Sequence, residues 1–223
     1  MQSKTIKDIL NKLKKKHCTV SEAFEQLKDL PFKDLGFAKI DYHREIRKHM
    51  PESIFCMGKT PKQVVDIFEK MKTKTNILAT KATPEIMKAV SKKNPEAEIF
   101  PDCGIIFLGK YPSRLIGKVV ILTGGTSDIR IAKEAEIVLK VMGVRPEPIY
   151  DVGVAGIHRL INAKEKIKDA DIIIAVAGMD GVLPTVVAGL FAAPVIAVPT
   201  SIGYGSNFSG LAPLLTMLNS CAP

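Results

Sequence analysis

The stretch Asp171-Ile172-Ile173-Ile174-Ala175-Val176-Ala177 is apolar at every position after the first. A strand with one wet face alternates polar and apolar residues. A short unbroken apolar run therefore predicts a strand buried on both faces, as in a parallel sheet covered by helices. Parallel neighbours need crossover connections, and the chain has them. Strands are predicted at 119–122, 148–150, 172–176 and 195–198, alternating with helices at 129–142, 156–167, 181–191 and 207–218. This alternation implies an α/β fold with a doubly wound parallel sheet.

In such a sheet the loops at the carboxyl ends of the strands converge on one crevice. The first of them, Gly124-Gly125-Thr126-Ser127-Asp128, joins the run Val119-Val120-Ile121-Leu122 to a helix. Free backbone N–H groups and the helix dipole make a turn of this kind an anion site. Ser127 or Asp128 is placed to cap the helix. Three further loops sit at equivalent places: Asp151-Val152-Gly153-Val154-Ala155-Gly156-Ile157-His158-Arg159, Ala177-Gly178-Met179-Asp180-Gly181-Val182-Leu183-Pro184, and Pro199-Thr200-Ser201-Ile202-Gly203-Tyr204-Gly205. Four such loops point to an active site more than to four separate caps.

The first half follows another pattern. Ile6, Ile9, Leu10 and Leu13 recur at helical spacing, as do Val20, Ala23, Phe24 and Leu27, and Thr19 to Glu22 reads as a capping box. Thr60-Pro61-Lys62-Gln63 and Thr83-Pro84 open two more helices. Strands are expected at 37–42, 77–79 and 105–108. We divide the chain into an N-terminal α+β domain, 1–113, and an α/β domain, 114–223, joined near Tyr111-Pro112-Ser113.

Charge follows the same division. Residues 1–110 carry 22 Lys and Arg against 14 Asp and Glu, whereas residues 111–223 carry 10 against 9. The lysines are scattered over polar helix faces and Trp is absent, so a nucleic-acid partner is not indicated. An anionic small molecule fits the residual excess better. No apolar run is long enough to span a bilayer, and the Lys-rich start lacks a signal-peptide core, so a cytoplasmic protein is expected. Cys18, Cys56, Cys103 and Cys221 lie far apart, with neither disulfide nor zinc spacing. From Asp171 onward there is no Lys or Arg, and only Asp171 and Asp180 are acidic. Helices this apolar need covering, which predicts a homo-oligomer.

With these motifs in order, the chain resembles the LarB family, the pyridinium-3,5-biscarboxylic acid mononucleotide synthases of nickel-pincer cofactor biosynthesis. The resemblance runs from about Asp41 to Pro223. It rests on Asp41-Tyr42-His43-Arg44-Glu45, Gly58-Lys59-Thr60, Gly125-Thr126-Ser127-Asp128, the stretch Asp151 to Arg159, and Met217-Leu218-Asn219-Ser220-Cys221-Ala222-Pro223. More distantly the second domain resembles the PurE-type aminoimidazole ribonucleotide carboxylases and mutases, through the Ser-Asp turn, His158-Arg159 and the Ala-Gly to Leu-Pro loop. Two departures stand out. Asp180 occupies a position usually held by Glu. The family also continues past Cys-Ala-Pro with a further strand and tail, so a tail beyond Pro223 is expected.

The resemblance implies carboxylation of nicotinic acid adenine dinucleotide at pyridinium C5, with CO2 or bicarbonate as co-substrate, and cleavage of its phosphoanhydride to release AMP. It also implies an octamer of PurE type. An electron-poor ring will not attack CO2, but a nucleophile added beside C5 turns the ring into an enamine. Cys221 suits that role because thiolates add and leave readily. Asp180 suits the base that takes the C5 proton, and His158 with Arg159 suits a carboxylate or phosphate. Gly125, Thr126, Ser127 and Asp128 would grip the nucleotide; Thr200, Ser201 and Tyr204 form a second phosphate- or ring-binding loop. Asp41, His43, Arg44 and Lys59 are assigned to the adenylate side. Mg2+ is expected for the phosphoanhydride step, with ligands that no residue pattern specifies. Plainer readings stand beside these: Cys221 as a small buried hydrophobe, Asp180 as a cap, the first-domain cluster as a solvated strand edge. Two other functions stay open, a purine-pathway carboxylase or mutase and a non-catalytic nucleotide-binding protein.

Overall fold

The computed structural model describes residues 2–28, 33–34, 36, 38–41, 50–73 and 75–222. The chain separates into two compact units, Met1–Lys110 and Tyr111–Pro223.

In the first unit, α1 (Gln2–Lys14) and α2 (Val20–Lys28) come first. Thr19 and Glu22 close the capping box: the Glu22 amide donates to Thr19 Oγ1 at 3.2 Å and the Thr19 amide to Glu22 Oε2 at 2.8 Å. A short antiparallel pair, β1 (Lys33–Asp34) and β2 (Lys39–Ile40), follows. Phe37 and Tyr42, the ends of the strand expected there, lie outside the described residues. Next come β3 (Glu52–Phe55), α3 (Pro61–Met71), β4 (Ile77–Thr80), α4 (Pro84–Lys93), β5 (Glu98–Phe100) and β6 (Ile105–Leu108). They form a sheet in the order β3-β4-β6-β5, parallel between β3 and β4 and antiparallel elsewhere. Thr60 and Thr83 cap α3 and α4 through their hydroxyls, at 3.3 and 3.4 Å from the Gln63 and Ile86 amides. Val64, Phe68, Met71, Ile86 and Val90 from these helices are buried against Ile77 and Ile106 of the sheet. The sequence pattern missed β3 and β5, each of which opens on a Glu and is only three or four residues long.

The second unit is built from β7 (Ile116–Thr123), α5 (Ile129–Val141), β8 (Val144–Ile149), α6 (Ile157–Asn162), α7 (Lys164–Ile167), β9 (Ile172–Ala177), α8 (Leu183–Leu190), β10 (Val195–Pro199) and α9 (Leu211–Leu218). All four strands are parallel, in the order β10-β9-β7-β8. Central β7 and β9 bury Val120, Ile121, Leu122, Ile173, Ala175 and Val176, as the unbroken apolar run required. β8 begins earlier than expected. It carries Pro146 and Pro148, which an edge strand accommodates because a missing N–H disrupts nothing on the open side.

Two expected helices are also corrected. The one over 156–167 is a 3-10 turn plus the short α6 and α7. The one over 207–218 starts only at Leu211, because Phe208 and Ser209 have left-handed backbone. On α9, Leu211, Leu214, Leu215 and Leu218 are exposed, and so are Leu190 and Ile196 of the neighbouring α8 and edge strand β10. No helix among the described residues is long and apolar enough to cross a membrane.

Candidate active site

The chain leaves β7 for β8 on one side and then places β9 and β10 on the other. The order reverses between β7 and β9, and ligands of open α/β sheets sit outside the carboxyl ends of the strands at such a point. Thr123, Ile149, Ala177 and Pro199 end the four strands there.

Hydrogen bonds tie the four loops together. The Gly124 amide donates to Val176 O at 2.9 Å, and the Thr200 amide to Ala177 O at 3.0 Å. Thr123 Oγ1 accepts from the Asp151 amide at 2.9 Å. Thr200 Oγ1 donates to Asp128 Oδ1 at 2.8 Å, and Asp128 Oδ2 accepts from the Gly125 amide at 3.1 Å. Asp128 and Thr200 are both buried. Where these loops cross, a Cβ added at Gly178 would stand 2.0 Å from Ile202 O and 2.7 Å from Thr200 Oγ1. Only glycine fits at that crossing.

Asp128 thus holds the loops rather than capping α5, to which it makes no side-chain capping bond. A 3-10 turn, 126–128, intervenes between Gly125 and that helix, and the carboxylate closes this turn instead. Thr126, Ser127, Ser201 and Tyr204 are exposed at the rim.

Arg159, half-exposed on α6, pairs with Asp151 at 2.6 Å. Asp151 takes a left-handed backbone, φ 58, uncommon for a residue with a Cβ. His158 beside it is exposed. Asp180 is exposed and its Oδ1 accepts from the Val182 amide at 3.3 Å, a turn that delays α8 to Leu183. The exposed Cys221 follows α9. Thr185 on the first turn of α8 donates to Ser220 Oγ at 3.0 Å, and the Ala222 amide donates to the same oxygen at 3.2 Å. Cys221 is therefore held at the end of α8 that carries Asp180.

The first-domain candidates divide. His43 and Arg44 lie outside the described residues. Asp41 directly follows β2, and Lys59 Nζ donates to Phe55 O at 2.6 Å within its own turn. Among the described residues no three His, Cys, Asp or Glu gather as a metal site. With Asp128 bonded to Gly125 and Thr200 and Asp151 paired to Arg159, the residues at this crevice do not fit a Mg2+ held by the protein alone. Thr123 and Asn207 carry no signal in the sequence, whereas Asp151 opens the Gly-rich motif 151–159 and takes its role, the pairing with Arg159, only in the structure.

The family model for the LarB/PurE-like N-terminal domain matches residues 32–110, and that for AIR carboxylase matches residues 118–223. An uncharacterized protein of Methanocaldococcus jannaschii is 38% identical over 99% of this chain and 89% of its own length. The chain belongs to the LarB family. Its second unit is a PurE-like domain of the carboxylase and mutase type. Consistent with that, the N5-carboxyaminoimidazole ribonucleotide mutase of Methanocaldococcus jannaschii is 40% identical over 44% of this chain and 59% of its own length. That similarity spans 101 residues, so it reaches only part of the LarB-type chain.

Proposed function

We propose that the protein carboxylates nicotinic acid adenine dinucleotide at pyridinium C5 and hydrolyses its phosphoanhydride. The products are pyridinium-3,5-biscarboxylic acid mononucleotide and AMP, and the mononucleotide feeds nickel-pincer cofactor synthesis. The observation that carries this reading is the exposed Cys221, anchored through Ser220 and Thr185 at the end of α8 that bears Asp180. An aminoimidazole substrate is already an enamine and has no use for that thiol. A pyridinium first needs a nucleophile added beside C5, and a thiol can be that nucleophile.

The chemistry balances on these residues. The Cys221 thiolate adds to the ring carbon next to C5, and the ring electrons make C5 a nucleophile. C5 forms its bond to CO2, supplied directly or from bicarbonate. Asp180 then takes the C5 proton, and the electron pair of that C–H bond restores the pyridinium as the thiolate departs. Arg159 receives a carboxylate or phosphate on its planar fork, with His158 beside it, and the 125–127 turn receives phosphate. Water on the phosphoanhydride then yields AMP. Mg2+ would arrive on the substrate's phosphates, as this ion commonly does.

The exposed leucines of α9 and Ile196 of β10 support a homo-oligomer, octameric by likeness to PurE. A second reading, a mutase or carboxylase of aminoimidazole ribonucleotide, draws on the mutase similarity. Parallel assays separate the two. Turnover of nicotinic acid adenine dinucleotide but not of carboxylated aminoimidazole ribonucleotide supports the proposal, and the opposite preference overturns it.

A further inference from the structure

Asn207 is 5% exposed, while Ser206 and Phe208 on either side of it are exposed. The backbone around it is irregular. Phe208 (φ 47) and Ser209 (φ 55) both sit in the left-handed region, which residues with a Cβ seldom adopt in succession. Strained residues persist where their surroundings over-determine them. Here the Asn207 side chain does so. Its Oδ1 accepts from the Gly210 amide at 2.8 Å, closing the loop on itself, and its Nδ2 donates to Met179 O at 2.9 Å.

Met179 immediately precedes Asp180 and is itself left-handed, φ 51. Its amide donates to Ile202 O at 2.9 Å, so both of its backbone polar groups are held by the segment after β10. On the other side of Asp180, Gly181 (φ 70) packs so closely on α9 that an added Cβ would lie 2.6 Å from Pro213 Cα. The turn is pinned at both ends, and Asp180 stands exposed between the pins.

We infer that Asn207 is the positioning residue for Asp180. The Met179 carbonyl and the Asp180 amide share one rigid peptide plane, so the bond from Asn207 fixes the plane from which Asp180 departs. The carboxylate then makes its own bond to the Val182 amide from a defined starting point. Losing the clamp displaces the base from the C5 proton but leaves the anion contacts at Arg159 and the 125–127 turn in place. This inference rests on the reading of Asp180 as the base.

Two variants and two readouts test it. Asn207→Asp keeps the size and the acceptor for Gly210 but sets an oxygen against Met179 O; Asn207→Ala removes both bonds. Steady-state kinetics with nicotinic acid adenine dinucleotide and bicarbonate are measured beside amide hydrogen exchange of residues 179–182. Expected for Asn207→Asp are a kcat lower by about ten- to a hundredfold, a KM within about threefold, and faster exchange at the turn. Exchange in strand 120–122 stays as in the parent protein, which shows that the fold is intact. Unchanged exchange at the turn in both variants overturns the clamp, whatever the activity. Faster exchange with unchanged kcat overturns the positioning role. If the parent protein itself has no turnover, the reading of Asp180 as a base fails, and the exchange result alone decides whether Asn207 holds the turn.

Discussion

Thr200 donates a 2.8 Å hydrogen bond to Asp128, 72 residues earlier, and so joins the loop after β10 to the turn after β7. The bond spans the strand between them and depends on a glycine at 178. Thr200→Val keeps the shape and removes the donor, leaving a buried carboxylate with one partner fewer. We expect a loss of about 1–3 kcal/mol, read as a lower urea midpoint at constant slope. An unchanged midpoint would mean that the two loops are fastened by other contacts.

Thiol chemistry separates Cys221 from the buried cysteines. Burial pushes the Cys56 thiol up to about 11, so at pH 8 only about one molecule in a thousand carries its thiolate. Iodoacetamide at pH 8 is expected to modify the exposed Cys221 first and to spare Cys56 and Cys103 until the protein unfolds. Peptide mass spectrometry reads the order. Raising the pH toward 11 increases the thiolate at Cys56 but not its exposure, so protection there should persist while the fold lasts.

Arg159 is held by Asp151 at 2.6 Å with its side chain half-exposed, which leaves part of the guanidinium open to an anion. Arg159→Ala should raise KM for the dinucleotide by about tenfold or more with a smaller change in kcat. Arg159→Lys should restore little, since an ammonium lacks the fork. Equal KM values in initial-rate kinetics would remove Arg159 from the substrate's anionic groups.

Asp180→Asn keeps the turn's acceptor for the Val182 amide and removes the base. A kcat drop of about 10²- to 10⁴-fold is expected in single-turnover carboxylation, with binding preserved. Asp180→Glu, the residue more usual in the family, should retain most of the rate. A fully active Asp180→Asn enzyme would reduce Asp180 to a cap.

Leu218 is 72% exposed on α9, next to Leu211, Leu214 and Leu215, all open to solvent. Burying such side chains contributes roughly 1.5–3 kcal/mol each, so a shared face of this composition favours assembly. Leu215→Glu with Leu218→Glu should sediment as a smaller species than the parent protein. Identical sedimentation would show that other surfaces hold the oligomer, or that the chain is a monomer.

The sheet was legible because Ile172 to Ala177 can be buried only between two layers, and the caps at Thr60 and Thr83 were legible because they are local. Short polar-led strands such as Glu52–Phe55 carry no period to read, and of β8 only the end, from Pro148, was legible. The site loops were visible as unusual turns, but their partners were not. Asn207 and Thr123 act through bonds to residues 28 positions away, which no local pattern announces. Asp128 reads equally well as a ligand or as a clamp until Thr200 is seen against it.

In the proposed reaction the Cys221 thiol turns a pyridinium into a nucleophile. Mass spectrometry of nicotinic acid adenine dinucleotide incubated with the protein, 13C-bicarbonate and Mg2+ tests it most directly. Expected are a dicarboxylated pyridinium mononucleotide carrying the label, AMP in equal amount, and no labelled product from Cys221→Ala. Label incorporated equally by Cys221→Ala, or dinucleotide recovered unchanged from the parent protein, would contradict it.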